Sequence, residues 1–318
     1  MTTACAPGKV TLCGEHAVVY GRPAIAVPVM QVRACATVQN AEKGQGLLIH
    51  AVELQLRHHV GHIISTDHPA YPLEATARHT LQWLSIAHVP DLVLTVSSTV
   101  PIARGMGSGA AVATAIVRAL AQHLGRHLTP QEVSNLVYQT EVIHHGTPSG
   151  IDNTVIAFEC PVYFVKGKPI AFLQGKQPSW LVIGDTGIRG PTKEVVADVR
   201  RAWQAEPARY EALFDRMGAI ARQARKAIEG GELEALGKLM NENQECLQAI
   251  GVSSPELEKL IAAARQAGAL GAKLCGAGRG GNMIALVRPE QAEHVAAAIR
   301  GAGAVSTIIS EVKPDSLP

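Results

Sequence analysis

The spacing of apolar residues divides the chain into a strand-rich first part and a second part rich in helices. Alternating or continuous apolar runs predict early strands at 9–13, 24–29, 32–38 and 92–96. Apolar residues three and four positions apart predict helices at 74–86, 110–124 and 130–145. The middle stretch 40–72 shows no clear pattern, and an apolar run with turn residues near 166–169 predicts a hairpin over 158–172.

The order of elements after residue 179 indicates the architecture of the second part. A strand is followed by several helices, two strands, one helix and a last strand. The predicted strands are 180–184, 272–275, 282–287 and 305–309, and the predicted helices are 192–203, 208–228, 233–247, 254–267 and 291–300. This order predicts an α+β, ferredoxin-like domain. We therefore predict two domains, residues 1–175 and 176–318.

The composition of the chain argues against a nucleic-acid-binding or membrane protein. With 318 residues, 47% hydrophobic content, a net charge of +2 and 4% aromatic residues, the chain is predicted to be globular and to bind a small molecule rather than nucleic acid. No apolar run is long enough for a membrane span, and no signal-peptide pattern is present. The six cysteines form no C-x-x-C pair, so we expect reduced thiols and a cytosolic compartment.

Four of the thirteen histidines, His58, His59, His62 and His68, lie close together in sequence. Their spacing is loose and no cysteine lies nearby, so we expect solvent-facing loop residues rather than a metal site.

The segment 101–111 contains three alternate glycines between a predicted strand and a predicted helix. Glycine lets backbone amides turn towards an anion, and the amides of a helix N-terminus favour negative charge. The segment therefore predicts a phosphate-binding loop. A Walker A loop is excluded because Ser108 is followed by glycine, and a dinucleotide fold because a helix follows in place of a second strand. A glycine-rich helix entry used only for packing remains open.

Several charged residues are candidates for chemistry. Lys9 lies on a predicted strand just before a turn that carries Glu15 and His16. Glu141 falls on the apolar face of helix 130–145, where a carboxylate needs a cation or metal, unless it lies at the edge of that face. Asp152 follows the stiff loop 146–150, where it is either a fixed acid or an ordinary turn residue.

A second glycine-rich segment, 276–281, joins two predicted strands. It matches the dinucleotide pattern formally, but a strand follows it, so that interpretation fails. The loop either lets backbone approach a ligand or forms a plain wide hairpin turn.

Together these motifs resemble the GHMP kinase superfamily, and within it the mevalonate kinases. Segment 6–21 resembles the opening signature of that family, 101–111 its nucleotide loop, 145–153 the stretch with its catalytic aspartate, and 273–281 its third motif. The resemblance spans residues 6 to 281. It implies the GHMP kinase fold with the active site between two domains, and ATP-dependent phosphorylation of mevalonate in isoprenoid biosynthesis.

The resemblance also implies roles for residues of this chain. Asp152 and Lys9 would be catalytic, Glu141 and Ser108 would bind Mg²⁺, and Glu15, His16 and Thr192 would bind mevalonate. The ATP-binding residues would be Pro101, Arg104, Gly105, Met106, Gly107, Ser108, Gly109, Ala110, Gly276 and Gly278. Mg²⁺ is the implied cofactor, ATP the co-substrate, and a homodimer is allowed.

The chain departs from the family pattern at three positions. Gly109 stands where many members have a second serine, Thr147 where asparagine is usual, and Arg279 interrupts a glycine run. Arg279 either touches phosphate or points to water. Other GHMP activities, on phosphomevalonate, homoserine or galactose, or decarboxylation of diphosphomevalonate, share these loops. A non-catalytic ligand sensor on the same fold is the alternative outside enzymes.

Overall fold

The computed structural model describes residues 1–145, 148–190 and 192–313. Within these ranges the chain forms two compact units. The described residues within 1–8, 32–101 and 107–158 form the first unit, and those within 9–31, 102–106 and 159–313 form the second. The predicted division at residue 175 stays a prediction.

The first unit is built on strands β1 (Thr2–Cys13, to residue 8), β2 (Ala24–Asn40, from residue 32), β3 (Leu47–Ala51), β4 (Leu56–His59) and β5 (Leu92–Ser98). Strand β5 pairs antiparallel with β2 and parallel with β3, and β3 pairs antiparallel with β4. The middle stretch without a clear pattern therefore contains a hairpin.

Four helices belong to the first unit: α1 (Tyr71–Trp83), α2 (Ser108–His123), α3 (Pro130–His145) and α4 (Ile151–Phe158). Helices α1 and α2 supply Leu81, Ile116 and Leu120 to a core that they share with Ile49 and Leu94 of the sheet. Helices α2, α3 and α4 also pack against one another. Helix α3 begins and ends where the apolar spacing predicted.

The second unit contains a four-stranded antiparallel sheet in the order β11 (Ser306–Val312), β8 (Ser179–Asp185), β10 (Asn282–Val287) and β9 (Gly271–Cys275). The two central strands, β8 and β10, are the first and third of these four strands along the chain. This is the split βαβ arrangement predicted from the element order. Its helices are α5 (Thr192–Ala205), α6 (Pro207–Gly230), α7 (Leu233–Ala249), α8 (Pro255–Gln266) and α9 (Ala292–Gly301).

The second unit also contains residues 9–13 of β1, a 3₁₀ helix at Ala17–Tyr20, and strands β6 (Val162–Phe164) and β7 (Ala171–Phe172). Strand β6 pairs with β7 as the predicted hairpin and with residues 24–26 of β2. The prediction of two separate strands at 24–29 and 32–38 is wrong, because β2 runs through both without a break.

Two expectations about side chains are also wrong. Cys5 and Cys35 form a disulfide with Cα atoms 4.1 Å apart, so two of the six cysteines are not reduced. The other four, Cys13, Cys160, Cys246 and Cys275, are free and buried. The two bridged residues lie on neighbouring strands, a proximity that their 30-residue separation does not reveal.

His58 is not a solvent-facing loop residue. It lies on β4, is buried, and its Nε2 contacts the carboxylate of Glu74 on α1. Hydrogen bonds from His58, Arg78 and the Gly61 amide outweigh the effect of burial and hold the pKa of Glu74 below its usual value. Within the described ranges, no group of three or more His, Cys, Asp or Glu side chains could hold a metal ion. Likewise, none of the described helices is both long and apolar enough to span a bilayer.

Candidate active site

The two glycine-rich loops touch each other through their backbones in the second unit. Gly105 has φ +82°, and a Cβ built on it would lie 2.7 Å from the carbonyl oxygen of Cys275 and 3.0 Å from Cα of Gly276. Gly276 has φ +94°, and its Cβ would lie 2.7 Å from Cα of Gly105. Only glycine fits at these two positions without moving backbone.

The loop 276–281 is fixed on its other side by the segments around Val252 and Ile188. The Arg279 amide donates to the Val252 carbonyl at 2.8 Å, and the Gly281 amide donates to the Ile188 carbonyl at 2.7 Å. The Arg279 guanidinium forms an ion pair with Asp198, and this contact holds the pKa of Asp198 below its usual value. The side chain that interrupts the glycine run therefore meets a carboxylate of α5.

Arg104 lies in the first glycine-rich loop and is largely buried. Its Nη2 donates to the Gly187 carbonyl at 2.8 Å, and its Nε lies 3.4 Å from a carboxylate oxygen of Asp185. Its backbone carbonyl accepts from Asn282 at 2.9 Å. Nη1 is buried and has no hydrogen-bond partner among the described residues. A buried guanidinium nitrogen of this kind is a ready donor for an anion.

Helix α2 begins directly after this loop. Its N-cap, Gly107, has φ +68° and provides no side-chain cap. The first hydrogen bond of the helix runs from the Ala111 amide to the Gly107 carbonyl at 2.9 Å. The amides of Ser108, Gly109 and Ala110 precede that bond and belong to the donors that a helix leaves unpaired at its start. This helix end has the properties that bind phosphate.

A backbone hydrogen bond joins Lys9 to Met106. The Lys9 amide donates to the Met106 carbonyl at 3.0 Å, so β1 and the first glycine-rich loop are fixed to each other. Lys9 is 5% exposed and Met106 is buried. Pro101, the first residue of the predicted loop, is half-buried and belongs to the first unit.

The carboxylate of Glu15 is turned into the protein. Its side chain is 4% exposed and forms an ion pair with Lys273 of β9, which is fully buried. Asn243 of α7 donates to the other carboxylate oxygen at 3.4 Å. Neither Lys273 nor Asn243 is among the site residues predicted from the sequence. The signal was available for Lys273, because a lysine within an apolar strand needs a buried partner.

His16 lies beside the second glycine-rich loop. Its Nε2 is 2.9 Å from the Ala277 carbonyl, which can only accept, so Nε2 carries the proton and Nδ1 is the acceptor. Burial lowers the pKa of His16 to about 4, so the imidazole is neutral at physiological pH. Its backbone has a positive φ of +61°.

Three predicted residues lie at one end of a helical cluster in the first unit. A six-residue connection joins α2 to α3, and such short connections join antiparallel helices. Ser108 at the start of α2 and Glu141 in the last turns of α3 are therefore at the same end. Asp152 lies in the first turn of α4, which follows α3, and so belongs to that end as well. Glu141 is 3% exposed, in agreement with its predicted place on the core-facing side.

Asp152 follows the loop as predicted, but it lies in the first turn of a helix and is not a turn residue. The hydroxyl of Ser149 accepts from the Ile151 amide at 3.3 Å, and Asn153 donates to Ser134 of α3 at 2.8 Å. These bonds fix the helix start that carries Asp152. Gly146, Thr147 and Pro191 lie outside the described residues. The departure from the family pattern at Thr147 therefore has no structural description.

Thr192 begins α5, and its amide donates to the Gly190 carbonyl at 2.9 Å. A cavity of about 860 Å³ lies elsewhere, in the first unit, between residues 61–64, α1 and residues 85–89. None of the predicted site residues lines this cavity.

Comparison with known proteins identifies relatives of this chain. The model of the GHMP kinases N terminal domain matches residues 72–160, and the GHMP kinases C terminal model matches 224–305. Mevalonate kinases of Thermococcus gammatolerans and Pyrococcus horikoshii are 36% and 37% identical. The matches cover 99% and 96% of this chain, and 97% and 94% of theirs.

Solved structures with the same fold include other GHMP kinases. The crystal structure of L. major mevalonate kinase in complex with R-mevalonate matches with a TM-score of 0.83 and 28% identity, over 99% of this chain and 97% of that one. A phosphomevalonate kinase of Streptococcus pneumoniae, 14% identical with a TM-score of 0.82, has the same fold. With full-length identity above one third to several of its members, the chain belongs to the mevalonate kinase family of the GHMP kinases.

Proposed function

We propose that this protein transfers the γ-phosphoryl group of ATP to the primary 5-hydroxyl of mevalonate. The observation that carries the proposal is the full-length similarity to mevalonate kinases, which includes the segments with Lys9, Asp152 and both glycine-rich loops. The related mevalonate kinase of L. major has been crystallised in complex with R-mevalonate. The product, 5-phosphomevalonate, belongs to the mevalonate pathway of isoprenoid biosynthesis.

The nucleotide phosphates are assigned to the start of α2 and the loop before it. The amides of Ser108, Gly109 and Ala110 precede the first hydrogen bond of the helix, and Arg104 Nη1 is a buried donor that has no acceptor among the described residues. Phosphoryl transfer requires donors of this kind around the phosphate oxygens, because catalysis depends on positioning and on neutralising charge. Gly276 and Gly278 complete the predicted nucleotide-binding set.

Mg²⁺ fits the residues present if it takes few ligands from the protein. Glu141 is a buried carboxylate, and Ser108 lies at the same end of the helical cluster. No larger cluster of ligands occurs in the part of the chain that the structure describes. Mg²⁺ commonly binds one or two protein groups and takes its other oxygens from phosphates and water. When bound, it would neutralise charge on the phosphates.

Asp152 is assigned as the general base and Lys9 as the cation of the reaction. Asp152 is half-buried at a helix start that Ser149 and Asn153 fix, so its position is well defined. A carboxylate so held can accept the proton of the 5-hydroxyl as the phosphoryl group arrives. Lys9 is buried on β1 and supplies a positive charge that would stabilise the oxygen losing its proton.

His16 and Thr192 are assigned to mevalonate. The neutral imidazole of His16 has Nδ1 as an acceptor for a substrate hydroxyl. The hydroxyl of Thr192 can both donate and accept. Glu15, which the resemblance also assigns to the substrate, has its carboxylate in a buried ion pair.

Coupled ADP release tests this function. The purified protein is assayed with ATP and, separately, mevalonate, phosphomevalonate, homoserine and galactose. We expect mevalonate to give the highest kcat/KM. A higher value for another alcohol would show that the substrate is wrong, and ATP binding without turnover on any of them would favour a ligand sensor.

Location and assembly are part of the proposal. Four buried free cysteines support a cytoplasmic location, whereas the Cys5–Cys35 disulfide is uncommon in that compartment. A homodimer stays a prediction, which sedimentation velocity tests directly.

A further inference from the structure

Both oxygens of the Glu15 carboxylate have partners inside the second unit. One contacts Lys273 Nζ, and the other accepts from Asn243 Nδ2 at 3.4 Å. Since the side chain is only 4% exposed, neither oxygen is directed to solvent. A carboxylate in this state has little capacity left for a ligand.

Lys273 is fully buried, and its three N–H donors match three acceptors. These are the Glu15 carboxylate, the Leu274 carbonyl at 2.5 Å and the Thr11 carbonyl at 3.5 Å. A buried ammonium group is tolerated when it is paired and its donors are satisfied. Lys273 therefore ties β1, the turn after it and β9 into one buried polar network.

The same network holds the turn that ends in His16. Asn243 accepts from the Gly14 amide at 3.3 Å while its own amide group donates to Glu15. The next residue, His16, reaches the Ala277 carbonyl of the second glycine-rich loop. Lys273 lies three residues before that loop, on the strand that leads into it. The ion pair is thus connected to both segments that are assigned to ligands.

We propose that Glu15 and Lys273 are a positioning pair that fixes the turn 14–16 and the entry to the loop 276–281, and that His16, not Glu15, contacts the substrate. This inference rests on the proposed function only for the identity of the substrate. The role of Lys273 as a structural partner of Glu15 does not depend on it.

Substitution of both members separates the two roles of Glu15. We compare Glu15→Gln, Lys273→Met and the double variant Glu15→Gln/Lys273→Met, with the exposed Lys238→Met of α7 as control. Each single change leaves one buried charge without its partner, so we expect the melting temperature to fall by roughly 10 °C. The double variant has no uncompensated charge, and we expect it to regain at least half of that loss.

The Michaelis constants give the decisive reading. For a positioning pair, the KM for mevalonate rises in Glu15→Gln and returns to within about threefold of the parent value in the double variant. The KM for ATP also rises in the single variants and recovers in the double variant, because the pair fixes the entry to the loop 276–281 as well. Both Michaelis constants of Lys238→Met stay near the parent values. If Glu15 binds substrate, the double variant regains stability but keeps the mevalonate KM of Glu15→Gln, about tenfold raised or more, which overturns the proposal.

A third change avoids both charges in case the double variant does not fold. Asn243→Ala removes the hydrogen bonds to Gly14 and Glu15. We expect it to raise the mevalonate KM at least about threefold with little change in kcat or ATP KM, and an unchanged mevalonate KM overturns the proposal. If the parent protein does not phosphorylate mevalonate, the proposed function fails, whereas the melting temperatures still test the pair.

Discussion

Replacing Gly105 by alanine tests whether contact between the two glycine-rich loops sets the position of the nucleotide loop. Alanine at φ +82° costs about 1–2 kcal/mol in backbone conformation. The new Cβ would also lie 2.7 Å from the Cys275 oxygen, about 0.8 Å closer than an ordinary contact of about 3.5 Å. One of the loops must therefore move by most of an ångström, at a further cost of about 1–3 kcal/mol.

A shift of this size at a site that works by positioning is expected to lower kcat/KM for ATP by roughly 100-fold. Gly125→Ala is the matched control, since Gly125 has φ +71° and no heavy atom within 4 Å of its built Cβ. It should lose about 1–2 kcal/mol of stability and keep its kinetics within about twofold. Steady-state kinetics and chemical denaturation of both variants give the comparison. Equal kinetics in the two variants would refute the reasoning.

Three further changes probe the assigned roles. Asp152→Asn should lower kcat by roughly 10²–10⁴ with ATP affinity retained, measured by ADP release and by ATP titration, and near-parent kcat would contradict a general base. Glu141→Gln should raise the Mg²⁺ concentration needed for half-maximal rate while the melting temperature changes little, and an unchanged Mg²⁺ titration would remove Glu141 as a ligand. His16 has a folded pKa of about 4, below the unfolded value of about 6.5, so the unfolded state binds more protons between these values. The stability that His16 contributes is therefore complete above pH 6.5 and declines, by up to about 3 kcal/mol, as pH falls to 4. Denaturation of the parent and of His16→Asn, whose side chain tolerates positive φ, should differ in slope in that window, and parallel curves would contradict the buried neutral imidazole.

Local signals in the sequence predicted elements where neighbouring residues decide the structure. Helix α3 begins at a capping box, in which the Thr129 amide donates to Glu132 at 2.8 Å and the Glu132 amide donates back to the Thr129 hydroxyl at 3.3 Å. Helix α8 begins after Ser254, whose hydroxyl accepts from the Leu257 amide at 3.3 Å. These motifs complete themselves within four residues, so no distant partner can change them.

Features that depend on distant partners were not predicted. The apolar pattern predicted two strands in place of β2 because the exposed residues Met30 and Gln31 interrupt it. In the structure residues 24–26 pair with β6 and residues 34–40 pair with β5. This pairing keeps β2 continuous. The Cys5–Cys35 bridge and the burial of His58 against Glu74 likewise depend on which strand or helix lies beside each residue. Apolar spacing does not report such neighbours.

The glycines of segment 101–111 do not all have the same role. From sequence alone, each glycine can serve an anion or a close contact. Gly105 serves a close contact, because the backbone of Cys275 and Gly276 occupies the space where its side chain would be. We propose that phosphate instead contacts the segment after Gly107, where α2 begins without a side-chain cap. A substitution at Gly105 and one at Gly109 should therefore fail for different reasons, the first by moving a loop and the second by obstructing a ligand.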